Sequence, residues 1–366
     1  MATTYRYLFA DLLTNEIIGE LPLTGVSFTE QLNQAGTFQG HLLLSGVNSA
    51  AFNVDASTTP GRCALYVDRD GVLVWGGIIW GREYASATQT LNFAAREFES
   101  YFERRRITQT VAFNNIDQLE IARTLITDAQ AVPYGDIGVN VGAETSGVLL
   151  SRTYYYYELK TVYGALQDLS RGQNGFDFNI DVSYVSGVPT KTLELGYPQY
   201  GALYNPNDPA APVFEFPAGN MVEYVYPEDG SIAANTIYAL GAGSNEGKLI
   251  EAYQNTDFLL AGWPLLEDQG NYSDVTDTTY LQQLAEGQAI AVAYPPTTMK
   301  VVAPPSQNPV YGSYEIGQEA RVIITDNRFP ETLDAIYRIV GLSVQPGEDG
   351  PERVTITFTL PTTIPA

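Results

Sequence analysis

The chain has 366 residues, 45% of them hydrophobic, which is enough for two or three domains of the usual ~100–200 residues with ordinary cores. Cys63 is the single cysteine, which excludes an intrachain disulfide and leaves packing or partner subunits to supply stability. The net charge of −23, from 42 acidic and 19 basic residues, repels phosphate and disfavours a protein that grips DNA.

No run of about eighteen apolar residues offers a membrane span, and Met1–Arg6 lacks the basic-then-apolar layout of a secretory signal. The expectation is a soluble chain, unprocessed at its start and assembled in a reducing cytoplasm, without stable membrane insertion. Acidity concentrates in residues 201–300, where Lys248 and Lys300 face thirteen carboxylates. Such a segment reads as a solvated acidic surface or, more sharply, as a channel wall along which DNA slides without sticking.

Short β-branched and aromatic stretches separated by Gly, Asn, Asp and Pro predict a mainly β fold. Tyr5–Phe9 and Glu16–Leu21 flank turn residues Asp11–Asn15, and Val26–Thr29 and Phe38–Leu44 flank Asn33–Gly36. Both pairs read as hairpins. Leu65–Val67 and Val72–Trp80 flank Asp68-Arg69-Asp70-Gly71, whose Asp-Gly suits the positive φ of a tight turn, and Leu91–Ala95 closes this first unit. Helical spacing appears in three islands, Asp117–Ala131 with Asn115 placed to cap it, Glu158–Arg171, and Thr278–Gln288. Prolines 198, 206, 209 and 212 make Tyr197–Pro217 an irregular connection, and Pro295-Pro296 and Pro304-Pro305 punctuate the chain again. The domains read as 1–110, a first β unit; 111–214, a small α/β insertion; 215–299, further strands with a connecting helix; and 300–366, a last β unit.

A weak internal repeat joins the two ends. Trp75–Ile79 lies between a turn at Asp68–Gly71 and a polar turn at Ala85–Thr90 leading into Leu91–Phe93. Tyr337–Leu342 lies between a loop at Asp326–Asp334 and a polar turn at Pro346–Glu352 leading into Val354–Phe358. The order strand, loop, aromatic strand with a glycine, polar turn, strand occurs twice. Gly77 and Gly341 are the candidate strand bends that barrel closure needs.

Tyr7–Thr14, Glu20–Phe28 with Leu32–Phe38, Val74–Ile79, Tyr314–Gln318 and Tyr337–Gly341 resemble the siphophage tail-hub family, the baseplate-hub or minor tail proteins, especially of phages that infect actinobacteria. The matches are strand-turn-strand patterns at both ends of the chain, not chemical signatures. The resemblance implies two tube-like β-barrels per chain and a homotrimer whose six barrels form a pseudo-sixfold ring, with 111–214 peripheral. It implies a structural tail-tip subunit of the virion, not an enzyme, contacting the distal tail ring, the tape-measure protein and central tip or fibre proteins, with DNA only in transit through the lumen.

Chemistry is sparse. His41 is the only histidine, which removes two-histidine metal motifs and leaves one candidate base for any triad; it reads as a strand histidine. Asp68–Gly71 lacks the further ligands of a calcium loop, and Gly241–Lys248 lacks the glycine spacing and hydroxyl of a phosphate loop, so both read as hairpin turns. No catalytic residue, cofactor or metal site is assigned. Tyr154, Tyr155, Tyr156 and Tyr157 form the densest aromatic run, suited to packing, an interface or a cell-wall glycan. Arg104, Arg105 and Arg106 form the sole basic cluster, suited to pairing with acids of an adjoining subunit. Two rival functions remain open: a receptor- or carbohydrate-binding tail protein, and a cell-wall glycan hydrolase, for which no matched acid and base stand out.

Overall fold

Hydrophobic patterning separates the strands that are buried on both faces from those with one wet face. In the computed structural model, β1 (Tyr5–Asp11) carries the run Tyr7-Leu8-Phe9-Ala10, all buried, and pairs with the hairpin partner β2 (Ile17–Glu20). In β3 (Thr24–Gln31) and β4 (Thr37–Leu43) apolar and polar residues alternate, and one face meets solvent. After the short helix α1 (Val54–Ser57) come β5 (Cys63–Arg69), the 14-residue β6 (Val72–Ala85) and β7 (Thr90–Glu97). Asp70 (φ 54°) and Gly71 (φ 87°) turn β5 into β6, as the Asp-Gly pair predicts. The model describes residues 3–46, 53–172, 174–205, 208–292, 298–347 and 350–360; the Pro295-Pro296 turn and Pro206 lie outside them.

The insertion holds α2 (Glu99–Phe102), β8 (Val111–Asp117), α3 (Gln118–Ala131), β9 (Val139–Val141), β10 (Leu149–Tyr154), α4 (Val162–Arg171), β11 (Asp177–Val185) and β12 (Val188–Gly196). Asp117, not Asn115, caps α3: its carboxylate accepts from Leu119 N at 2.9 Å, whereas Asn115 is a strand residue at φ 55°. The stretch expected as one helix from Glu158 is broken. Leu159 turns left-handed (φ 47°) after a 3-10 turn at Tyr156–Glu158, and Thr161 caps α4 through Gly164 N at 3.0 Å.

The remainder holds β13 (Val213–Phe216), β14 (Glu223–Val225), β15 (Thr236–Leu240), β16 (Ile250–Gln254), α5 (Thr256–Leu260), β17 (Glu267–Asn271), α6 (Thr278–Val292), β18 (Met299–Ala303), β19 (Glu319–Ile324), β20 (Leu333–Gln345) and β21 (Arg353–Thr359). Strands β15–β17 form their own sheet under α6, around Ile237, Leu281 and Leu284.

The expectation of two closed barrels is corrected. Thirteen strands form one sheet, ordered β2-β1-β5-β6-β7-β4-β3-β20-β21-β18-β14, with β13-β19 attached to β20. Among the described residues this path closes into no barrel. The physical reason lies in β20: its first half pairs with β19, and its second half, Gly341–Val344, pairs with β3 of the other unit along the same edge. The edge that could have closed the second unit joins it to the first. The series β1-β5-β6-β7-β4-β3 and β13-β19-β20-β21-β18-β14 nonetheless follow the same order. One core, including Phe9, Phe28, Trp75, Phe214, Tyr337 and Phe358, runs through both. A second core packs the opposite face of β1 and β5, through Leu8 and Tyr66, against α3, α4 and β11, which is why those two strands read as unbroken apolar runs.

Candidate functional site

For a chain with so few chemical groups, the functional features are its joints and its open strand edges. The β3–β20 seam sets Phe28–Gln31 antiparallel to Gly341–Val344. Beside it, the buried Arg338 of β20 pairs with Asp177 of β11 and donates Nε to Gly317 O at 2.8 Å. The other oxygen of Asp177 accepts from Asn33 Nδ2 at 2.8 Å, and Asn33 Oδ1 accepts from Phe178 N at 2.7 Å. One ion pair thus ties the insertion to both β units. A second joint is the fork of Arg69 on Glu352 (2.9 and 2.8 Å), with the Tyr5 hydroxyl donating to the same carboxylate. A third holds the insertion to the β15–β17 unit: Asp274 accepts from Arg152 at 2.9 Å and pairs with Lys160 at 2.9 Å, and the Arg152 guanidinium lies between the rings of Tyr154 and Tyr280. Burial would raise the Asp274 carboxyl, but Lys160 and Arg152 outweigh it and hold it below its ordinary value.

Carboxylates without an ion-pair partner among the described residues line a partly open pocket of about 200 Å³ beside the seam, including Glu30, Glu97, Asp181 and Glu315. Burial and then Asp181 push Glu30 up to about 8; burial, Glu99 and Glu30 push Glu97 well up; burial pushes Glu99 up to about 7. Glu97 accepts from Gly36 N and Glu99 from Ile180 N, so these acids serve as hydrogen-bonding struts. The volume is below the ~300–1,000 Å³ of ligand clefts, too tight for a polysaccharide.

Tyr154 ends β10 fully buried, and its ring packs edge-on to Phe113. Tyr156 and Tyr157 are exposed, and Tyr155 and Tyr157 stack on one another with centroids 5.2 Å apart. The four tyrosines therefore do not share one surface. Arg105 donates to Ala129 O at 2.8 Å at the end of α3, Arg106 donates to Leu159 O at 3.2 Å, and Arg104 lies over Trp80. His41 lies in β4 and Cys63 is buried at the start of β5.

Gly77 lies where a Cβ would come within 2.3 Å of Arg96 O, so close approach of β7 demands glycine there. The bulge of β6 falls between Ile79 and Gly81, and that of β20 between Ile339 and Gly341. By register, Gly81 and not Gly77 is the counterpart of Gly341. The joints at Arg338–Asp177, Arg69–Glu352 and Arg152–Asp274 were missed by sequence reasoning, because their partners lie more than 100 residues apart and a single charge carries no spacing signal.

This fold is shared over nearly the whole chain with solved tail proteins. The chain is similar to the tail protein from Neisseria meningitidis MC58 (13% identity over 98% of this chain and 97% of that one, TM-score 0.65). It is similar to the 43 kDa tail protein of prophage MuSo2 from Shewanella oneidensis (12%, 98% and 99%, TM-score 0.63) and to prophage tail protein gp18 from Listeria monocytogenes EGD-e (12%, 96% and 94%, TM-score 0.55). No family model matches the sequence, and no curated protein matches it. At such identity the likeness is one of fold, and it agrees with the family that the strand-turn-strand stretches resemble.

Proposed function

We propose that this chain is a structural, non-enzymatic subunit of the tail tip of a tailed phage, the hub that joins the tail tube or distal tail ring to the central tip and forms part of the DNA-ejection conduit. The observation that carries the reading is the repeat of strand order between the two β units, because three chains with two such units each present six similar units to a sixfold tube. The partners in this reading are two further copies of the chain, the distal tail ring, the tape-measure protein and the tip or fibre proteins. Assembly takes place in the host cytoplasm, and the mature location is the virion tail. The whole-length likeness to phage tail proteins supports it. The net charge of −23 suits a conduit that DNA crosses without adhering.

Native mass spectrometry and electron-microscope class averages of the purified protein test the reading. A trimeric ring with six lobes and an axial opening is the expected result; a stable monomer at every concentration overturns it.

The exposure of Tyr156 and Tyr157 favours a second reading, a carbohydrate-binding tail protein. That reading requires saturable binding of cell-wall glycan that the Y156A/Y157A variant loses.

A further inference from the structure

The seam inside the chain has a donor strand and an acceptor edge, and the internal repeat supplies a second set of both that the single chain leaves unused. In the seam, Leu32 N donates to Val340 O at 3.0 Å, which makes Gln31 opposite Gly341 a non-hydrogen-bonded pair. By alternation, Thr29 opposite Ser343 is non-hydrogen-bonded too, while Glu30 with Leu342 and Phe28 with Val344 exchange backbone bonds.

Register fixes the counterparts. The bulges before Gly81 and Gly341 match, and Gly61 N donates to Ile79 O at 2.7 Å just as Gly317 N donates to Ile339 O at 2.7 Å. Gly81–Tyr84 therefore stands for Gly341–Val344. On the donor side, Phe28 faces Phe38, which faces Ala95, which faces Ile79. Val225 faces Lys300, so the next residue, Tyr226, falls opposite Met299, which faces Phe358, which faces Ile339. Tyr226–Asp229 therefore stands for Phe28–Gln31. Among the described residues, no backbone group bonds the outer edge of Gly81–Tyr84 or of Tyr226–Asp229.

We infer that Tyr226–Asp229 of one copy of this chain adds as an antiparallel strand to the Gly81–Tyr84 edge of a second copy, with Tyr226 opposite Tyr84 and Glu228 opposite Arg82. Side chains agree with that register. Pro227 takes the place of Thr29, whose N–H has no part in the seam, so the missing donor of proline costs nothing there. Glu228 and Arg82 place opposite charges face to face, a favourable cross-strand pair; in the single chain Glu228 pairs with Arg328 at 3.0 Å and Arg82 with Asp55 at 3.4 Å, so the new pair joins or replaces those exposed contacts. Tyr84 is 52% exposed in the single chain, whereas its counterpart Val344 is fully buried by the seam. Tyr226 already packs on Phe329 and the shared core, as Phe28 does, so its edge is presented in a fixed orientation. The contact is head-to-tail and uses different surfaces of each copy, so it propagates from copy to copy and forms a ring where the rotation closes; closure at three copies rests on the hub reading.

Paired cysteines test the register. Glu83 and Pro227 form the non-hydrogen-bonded pair of the proposed seam, where Cβ atoms come within about 4.5–5.5 Å. E83C/P227C is expected to give disulfide-linked dimers and closed trimers on mild oxidation, and each single variant none. T29C/S343C, the same pair in the internal seam, is the control and oxidises within one chain. The out-of-register pair E83C/D229C is expected to link at least tenfold more slowly. Failure of E83C/P227C to link chains while the control oxidises overturns the strand pairing. Native mass then separates the causes: an unlinked trimer overturns the pairing and leaves the hub reading, whereas a monomer overturns both.

Discussion

Glu97 and Glu99 are buried without an ion-pair partner among the described residues, and Glu30 stands beside them; burial outweighs the nearby Arg96 at Glu99, so all three keep their protons at pH values where an unfolded glutamate at ~4.3 has lost its own. The folded state thus binds more protons than the unfolded state between about pH 4.5 and pH 8. Stability from these groups is full below that window and falls as pH rises through 7, for Glu99, and 8, for Glu30. Asp274 works in the opposite sense, since its depressed carboxyl loses stability only as pH falls below about 4. Thermal melts should give the highest Tm near pH 5 and a lower one at pH 8, and E97Q/E99Q should narrow the difference; equal Tm at both pH values would contradict the account. Arg338 gives a second residue-scale outcome. R338L leaves Asp177 buried without its cation, a change that costs about 3–5 kcal/mol in comparable pairs, and urea melts should show that loss. Glu97 and Glu99 are near neighbours in sequence, but nothing there announces that Glu30 of β3 folds against them, which is why this region was illegible in the sequence.

Within single elements, local signals carried further. The Asp-Gly turn, the strands β4 and β7, and the helical islands at Asp117–Ala131 and Thr278–Gln288 were legible because each depends on neighbours a few residues away; the island from Glu158 is an α-helix only from Val162 on. The cap of α3 was not, because Asn115 and Asp117 are both capping residues, and tertiary bonds chose between them: Asp117 also accepts from Ser146 N and Gly147 N at 2.9 and 2.7 Å. D117A should cost about 1–2 kcal/mol, whereas N115G, at a left-handed position that glycine adopts freely, should stay within about 0.5 kcal/mol. Denaturant midpoints distinguish the two. The glycines differ likewise. G77A forces a methyl group against the backbone of β7 and should destabilise strongly or block folding, while G341A, whose nearest neighbour would be 3.4 Å away, should be mild. Equal Tm losses for the two would remove the distinction between a close-approach glycine and one that follows a bulge.

At the scale of the molecule, the two β units share one sheet and one core, so unfolding should be cooperative across them. Cutting the seam tests this. L342P removes the backbone donor that Leu342 gives to Glu30 across the seam, since those two residues form a hydrogen-bonded pair. The variant is expected to lose several kcal/mol and to expose Trp75, whose Nε1 donates to Thr29 O at 3.1 Å, as a red shift in tryptophan emission. Separate melting of two units with unchanged Trp75 emission would show that the shared core is not a single cooperative block. The charge of −23 also predicts that a purified assembly binds heparin and duplex DNA poorly at physiological salt, with no retention on either matrix as the check.

The sequence by itself determined the mainly β character, the position of the turns, the α/β islands and the repeat of strand, glycine and polar turn at both ends. Each of those follows from period-two patterning, turn chemistry or helical spacing, which act over a few residues. Only the tertiary structure decided that the two units form one open sheet instead of two closed barrels, that Gly81 and not Gly77 matches Gly341, and that Arg338, Arg69 and Asp274 hold the parts together. Those outcomes depend on which strand edge meets which other edge across hundreds of residues. A strand's pattern states which face is buried, and it says nothing about the partner on either edge.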